Sequence, residues 1–237
     1  MSISLAFPRA VKLANNVADA TNDIDFTDNL YGRFNFTKRL DATFTAGSGG
    51  GGLDTGAIAN AWYHCHAIQK SNAIDYIFST SISAPVIPAG WNLRFRRVGS
   101  ILRVGSTIKP FFQVGRYFYW VTVAQDILVT TQGASAILRT ISTPPGMRVV
   151  AILNAGVAHA TATSGTVYFS SPDATDEDPA NNYAVTNVCQ VNGRGVYNRL
   201  LIPTDTSSQV RTRGIAASTT VVIGTVGWED TEDRQAA

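Results

Sequence analysis

The feature that most constrains the fold is a repeated alternation of short apolar segments with turn residues. From residue 57 onward, segments rich in Val, Ile, Phe, Tyr, Trp and Thr are broken by Gly, Pro, Asn or Ser about every ten residues. Short strands with this spacing are typical of antiparallel β-proteins, and no amphipathic helical pattern lies between them to serve as a crossover in a parallel sheet. We therefore predict an all-β fold, an antiparallel two-sheet β-sandwich of the jelly-roll kind.

The predicted strands cover most of the chain after its first quarter. They are residues 61–69, 75–79, 92–100, 108–114, 117–123, 125–131, 134–141, 147–153, 166–170, 183–191, 199–203, 209–214 and 220–228.

A glycine run divides the predicted organisation. Residues 1–46 are polar and mixed, which predicts a short N-terminal arm with one or two strands and a short helix near residues 9–17. Residues 47–52 read Gly-Ser-Gly-Gly-Gly-Gly and predict a hinge, because they carry almost no side chain to bury. A phosphate-binding loop is not predicted, since no Lys followed by Ser or Thr comes after the run. Residues 53–237 are then the β-sandwich domain.

Charge is scarce and unevenly placed. Charged residues make up 15% of the 237 residues, against roughly 25% in soluble globular proteins, which argues against a coiled coil or a charged disordered chain. Residues 76–172 carry eight Arg and Lys side chains and one acid, Asp126, whereas residues 173–237 carry a net charge of −4. The cations form no compact run, so we predict contacts between the two blocks, within a chain or between copies, and no binding to nucleic acid. No apolar stretch is long enough for a membrane span or a signal peptide, and we expect no membrane insertion.

Few residues suggest chemistry. His64 and His66 share a strand face, but a third metal ligand is missing and Cys65 points to the other face, so we predict structural histidines, no metal and no cofactor. Cys65 and Cys189 are expected to be reduced thiols. The acidic cluster 173–178 is predicted to be a solvated loop, with a calcium site as the alternative. Asp126 stands alone, which argues against the paired carboxylates of glycan hydrolysis.

Aromatic residues are concentrated between residues 91 and 120. Alternation puts Phe118 and Trp120 on one strand face, which is expected to be core, and Tyr117 and Tyr119 on the other. That second face is expected to meet another subunit or a sugar ring, and arginines near it can support either contact. The candidate interface or glycan-contacting residues are Arg94, Arg96, Arg97, Arg116, Tyr117 and Tyr119.

An ordered series of short motifs resembles a known family. The series comprises Gly51-Gly52-Leu53-Asp54-Thr55-Gly56, Trp62-Tyr63-His64, Asp75-Tyr76, Pro88-Ala89-Gly90, Arg96-Arg97-Val98-Gly99-Ser100 and residues 112–120, FQVGRYFYW. It resembles a segment found in virion proteins of tailed bacteriophages, among them tail-fibre and tail-tip proteins. The resemblance covers roughly residues 53–228, is strongest before residue 120, and includes no catalytic signature.

The resemblance implies a structural role. The expected protein is a non-enzymatic virion component that is assembled in the bacterial cytoplasm, is oligomeric and is able to contact a host-surface glycan. The aromatic residues on both faces of residues 118–120 predict a homo-oligomer, a trimer. The polar composition of the arm predicts that the arm binds other virion proteins. The chain lacks the repetitive shaft of long fibres, so its position in the virion stays open. The alternatives are a capsid decoration or head-spike protein, and a carbohydrate-binding module or glycan depolymerase.

Overall fold

The protein is an all-β protein, as the sequence predicts. The computed structural model describes residues 11–28, 34–159, 165–179, 188–191 and 196–231. Within these residues it contains seventeen strands and no helix. They form two compact units, unit 1 up to Arg116 and unit 2 over Tyr117–Thr231. The unit boundary therefore lies inside the predicted domain 53–237.

Unit 1 contains nine strands, eight of them in one sheet. The strands are β1 (Val11–Asn15), β2 (Asp23–Asp28), β3 (Phe34–Thr43), β4 (Gly51–Leu53), β5 (Trp62–Lys70), β6 (Ala73–Ser79), β7 (Arg94–Val104), β8 (Thr107–Ile108) and β9 (Phe111–Val114). The sheet order is β1-β2-β3-β4-β6-β5-β7-β8. The short strand β4 runs parallel to both of its neighbours, so this sheet is mixed and not purely antiparallel.

The core of unit 1 follows from period-2 alternation. In β2, Ile24 and Phe26 are buried while the residues between them are partly exposed. The Phe26 ring stacks on Tyr76 of β6 with centroids 4.1 Å apart. A second cluster joins Ile68 and Ile77 to Trp91 in the loop before β7. Large apolar side chains from both the beginning and the middle of the chain therefore stabilise one unit.

A buried ion pair organises the glycine run. Lys38 of β3 and Asp75 of β6 are fully buried, and Lys38 Nζ lies 2.8 Å from Asp75 Oδ1. Lys38 Nζ also donates to the carbonyl oxygens of Thr45 and Gly47, at 2.7 and 3.2 Å. The Gly47 amide donates to Asp75 Oδ2 at 2.8 Å, which closes the loop over the pair. Burial lowers the pKa of Lys38, and the hydrogen bond to Asp75 opposes that shift.

Close backbone approach explains why the loop is made of glycine. A Cβ on Gly50 would lie 2.2 Å from the Thr45 carbonyl oxygen, and a Cβ on Gly51 would lie 2.0 Å from that of Thr43. No side chain fits at these distances. The loop is therefore compressed against β3, and its glycines are needed for packing and for reversal of the chain.

The described part of the predicted arm lies within the unit 1 sheet. Strands β1, β2 and β3 lie between residues 11 and 43 and belong to this sheet, and Gly47 and Gly51 of the predicted hinge are hydrogen-bonded to the buried pair. The predicted helix near residues 9–17 is wrong for its described part, because Val11–Asn15 is a strand. The arm prediction followed from the polar composition, but Leu13 and Leu40 are fully buried. Residues 1–10 lie outside the described residues.

Unit 2 contains two sheets. Its strands are β10 (Tyr117–Gln132), β11 (Ile137–Thr140), β12 (Val150–Ala158), β13 (Gly165–Ser170), β14 (Val188–Val191), β15 (Val196–Pro203), β16 (Gln209–Gly214) and β17 (Thr219–Glu229). The strands that this unit contributes to one sheet follow the order β15-β12-β17-β10, and the other sheet has the order β11-β16-β13-β14. All strand pairs within these two sheets of the unit are antiparallel.

The two sheets of unit 2 share one apolar core. Leu153 of β12 and Ile223 of β17 belong to the same buried cluster as Phe169 of β13 and Val210 of β16. At one end, the Phe118 ring stacks on Trp228 with centroids 5.1 Å apart. The inner faces of both sheets are therefore covered within the unit.

Removing one partner of the buried pair should destabilise unit 1. In Asp75→Ala the Lys38 ammonium stays buried without its counter-ion, which typically costs about 3–5 kcal/mol. Urea unfolding followed by circular dichroism should show that loss in the free energy of unfolding. The matched control is Asp41→Ala, which removes the carboxylate 3.1 Å from the exposed Arg39 and should leave the curve unchanged. Equal curves for the two variants would contradict this account of the fold.

Candidate functional site

The predicted arginines lie mainly on one strand of unit 1. Arg94 at the start of β7 is exposed, Arg96 is partly buried and Arg97 is buried. Arg97 Nη2 donates to Ser100 Oγ at 2.8 Å. Arg116 is exposed at the end of the unit. Arg97 thus serves the interior of unit 1, and Arg94 and Arg116 are accessible to a partner.

The predicted tyrosines belong to unit 2. Tyr117 and Tyr119 at the start of β10 are partly buried, and their rings stack with centroids 6.3 Å apart. Phe118 and Trp120, between and after them, are buried against Trp228. The predicted assignment of the two faces of this strand is confirmed.

The histidines form part of a buried polar cluster in unit 1. His64 Nδ1 lies 2.8 Å from Ser100 Oγ, the hydroxyl that also accepts from Arg97. His66 Nε2 lies 3.1 Å from the Ser81 carbonyl oxygen. Among the described residues, no three His, Cys, Asp or Glu side chains come together in a way that could hold a metal ion. Burial raises the pKa of the Cys65 thiol, which keeps it protonated. The side chain of Cys189 lies outside the described residues.

The acidic loop of unit 2 is held by arginines. Arg148 Nε donates to Asp173 Oδ2 at 2.6 Å, and this bond lowers the pKa of that carboxyl group. Arg213 pairs with Asp176 at 2.9 Å and also with Asp178. The Arg148–Asp173 pair is one case of the predicted contact between the basic block and the acidic block. Carboxylates paired in this way are poor calcium ligands, because the arginine occupies the oxygens that the ion would need.

Asp126 is a structural anchor. Its Oδ1 accepts from Ser142 Oγ at 2.6 Å and its Oδ2 accepts from the Ser142 amide at 3.1 Å. Thr225 Oγ1 also donates to Oδ2. The carboxylate thus connects β10, β17 and the loop after β11.

A shallow polar groove lies on one face of unit 1. It has a volume of about 300 Å³ and is lined by Lys12, Ala14, Asn16, Asp25, Thr27, Asn35 and Thr37. Asp25 Oδ1 accepts from Asn16 Nδ2 and from Thr37 Oγ1, at 2.8 and 2.7 Å. Polar residues of this kind are typical of a solvated strand face.

The outer face of the β15-β12-β17-β10 sheet is the most unusual surface of unit 2. The strand registers place four rows of side chains on it, and we name this set the outer face. Across the sheet the rows are Tyr197, Gly156, Val222 and Leu128; Arg199, Asn154, Gly224 and Gln125; Leu201, Ile152, Gly227 and Tyr119; and Pro203, Val150, Glu229 and Tyr117.

Three large apolar side chains of the outer face are exposed, whereas Ile152 in its third row is buried. The exposed fractions are 73% for Tyr197, 61% for Leu128 and 57% for Leu201. A Cβ on Gly156 would lie 2.4 Å from Tyr197 Cε1, so the ring extends across the sheet over this glycine. Sequence reasoning names Tyr117 and Tyr119 as candidates and does not name Tyr197, whose cross-strand neighbour is known only once the strands are paired.

Comparisons with known proteins identify no relative. No protein-family model matches the chain, and no curated protein matches it in sequence. No helix in the described part of the chain is long and apolar enough to cross a membrane.

The buried His64 should make stability depend on pH. Burial, aided by the positive charge of Arg97, lowers its pKa from 6.5 to about 3. Between these values the unfolded chain binds a proton that the folded chain does not, so stability should fall as pH is lowered from about 6.5 toward 3. The slope for one such group is about 1.4 kcal/mol per pH unit.

The variant His64→Gln tests this effect. It keeps a polar group beside Ser100 but does not titrate, so its free energy of unfolding should fall less steeply over the same pH range. Urea unfolding at several pH values measures both slopes. Parallel curves for the variant and the wild type would show that His64 is not the responsible group.

Proposed function

We propose that this chain is a non-enzymatic structural protein of a tailed-bacteriophage virion, a component of the tail fibre or tail tip that assembles with copies of itself. The observation that carries the assembly role is the exposure of Tyr197, Leu128 and Leu201 on the outer face. Exposed apolar side chains grouped on one sheet face are typical of surfaces that are covered in an assembly. The resemblance of the motifs over residues 53–228 to virion proteins of tailed bacteriophages supports the assignment to a virion.

We also propose that unit 2 is a two-sheet β-sandwich of the jelly-roll kind. Numbered one to eight from β10, its strands lie in the orders 6-3-8-1 and 2-7-4-5. This interleaving is that of two Greek keys folded face to face, and the common core of the two sheets supports it. Jelly rolls occur in virus capsids and in lectins, so the fold is compatible with the proposed role without specifying it.

The acid of the basic block and three acids of the acidic loop support a role without catalysis. Glycan cleavage normally needs two carboxyl groups about 5–10 Å apart across a sugar, one of them free to act as an acid. Asp126 is bonded on both oxygens, and Asp173, Asp176 and Asp178 are paired with arginines. These bonds favour a structural use of each carboxylate over the depolymerase alternative.

Localisation on the particle is the direct test. Immunogold imaging of purified phage particles, with an antibody raised against this chain, should place the label at the tail. Label on the capsid would select the decoration or head-spike alternative. Particles without label, from a lysate in which the chain is made, would refute a virion role.

Loss of the Asp126 charge should destabilise the fold, and it should abolish no enzymatic activity. Asp126→Asn keeps the shape but weakens hydrogen bonds from Ser142 and Thr225, so we expect unfolding to become easier by about 1–3 kcal/mol. Host polysaccharide incubated with wild-type protein should stay intact in a reducing-end assay. Release of fragments by the wild type, lost in Asp126→Asn at a temperature where the variant is folded, would establish a depolymerase.

A further inference from the structure

The outer face combines apolar exposure with very little charge. Its sixteen positions include two charged residues, Arg199 on β15 and Glu229 on β17. Leucine, isoleucine and valine side chains and tyrosine rings occupy half of the positions. A surface made for water would carry charges at alternate strand positions instead, as β3 does with Lys38 buried and Arg39 and Asp41 outside.

We infer that the outer face of unit 2 is the surface on which a second copy of this chain packs. The inference rests on the proposed function, because it names the partner of the surface that carries that function.

The chemistry of the face favours protein over sugar as its occupant. Sugars are held by aromatic rings with hydrogen-bonding groups around them. Here the large apolar side chains exposed beside Tyr197 are Leu128 and Leu201, which cannot stack on a sugar but pack well against aliphatic groups of a partner. When two copies pack through the same face, like charges of the two copies can repel each other. This face carries one Arg and one Glu, so that repulsion is small.

The shape of the face allows two sheets to approach closely. Gly156, Gly224 and Gly227 lie on the two central strands and have no side chain to project from the sheet. Tyr197 extends over Gly156, and Val123 Cγ1 would lie 3.0 Å from a Cβ on Gly224. The face is therefore flat at these glycines, as in sheets that pack about 10 Å from another sheet, and its second row, with Arg199, Asn154 and Gln125, is polar.

The area is sufficient for a specific contact. Four strands about 4.8 Å apart, with four side-chain rows about 6.6 Å apart, cover a footprint of about 500 Å². Two copies then bury about 1,000 Å² in total, which is the lower bound of a specific protein–protein interface.

Two matched leucine substitutions test the inference. Leu128→Lys puts a charge in the outer face, and Leu138→Lys puts the same charge on β11 of the other sheet, where the leucine is similarly exposed at 50%. Both replaced side chains are exposed, so circular dichroism should show both variants folded. Leu201→Lys, on the far strand of the outer face, serves as the second variant. Multi-angle light scattering and sedimentation at micromolar concentration give the oligomeric state of the full chain.

We expect the wild type to be oligomeric and Leu138→Lys to have the same oligomeric state. In the outer-face variants the subunit dissociation constant should rise at least about a hundredfold, because lysines of two copies are brought together out of water. An oligomer unaffected by Leu128→Lys and Leu201→Lys would overturn the inference while the particle imaging could still support the proposed function. A monomeric wild type would overturn it too.

Binding of purified bacterial surface polysaccharide by such a monomer, lost in Tyr197→Ala and kept in Tyr197→Phe, would make the face a glycan site instead. If the gold label is absent from particles while the variants dissociate as expected, the virion role is refuted and the inference about the outer face stands.

Discussion

The buried pair of Lys38 and Asp75 is the constraint on which unit 1 depends. Two charges without water are tolerable only when each finds several polar partners, and here the glycine loop supplies them. The Phe44 ring lies 4.7 Å from Lys38 Nζ and shields it further. Because the pair joins β3 to β6 across β4, it fixes the start of the chain against its middle. A segment that resembles a loose arm in composition is therefore part of the fold.

Unit 2 uses its charges differently. Arg148, Arg211 and Arg213 hold the acidic loop through Asp173, Asp176 and backbone carbonyl groups near the surface. Such exposed pairs contribute little stability individually, but they neutralise the loop within the chain. Part of the charge of this unit is thereby placed at one loop, and the outer face carries Arg199 and Glu229.

The sequence predicts the strands well and their partners poorly. Residues 209–214 were predicted as a strand and form β16 with the same bounds, because alternation of buried and exposed residues is local information. The unit boundary at Arg116 and the burial of Lys38 depend on contacts between distant segments, which periodicity does not report. The same limit applies to the candidate site. Tyr119 was found from its position in a strand, whereas Tyr197 gained meaning only from its place opposite Gly156.

The edge of the unit 2 sheet bears on how copies of the chain can associate. A strand at the edge of a sheet can pair with another chain through its free backbone groups, and repeated pairing of that kind leads to fibres. Strand β15 is such an edge in the described sheet, and it ends in Pro203, which has no amide proton to donate, and carries the charged Arg199. Both residues oppose addition of a further strand. Association through the outer face is not opposed in this way. When the outer faces of two copies cover each other, neither face is left to bind a further copy. For the proposed association of copies, the arrangement therefore favours a closed oligomer of few subunits over an open-ended polymer.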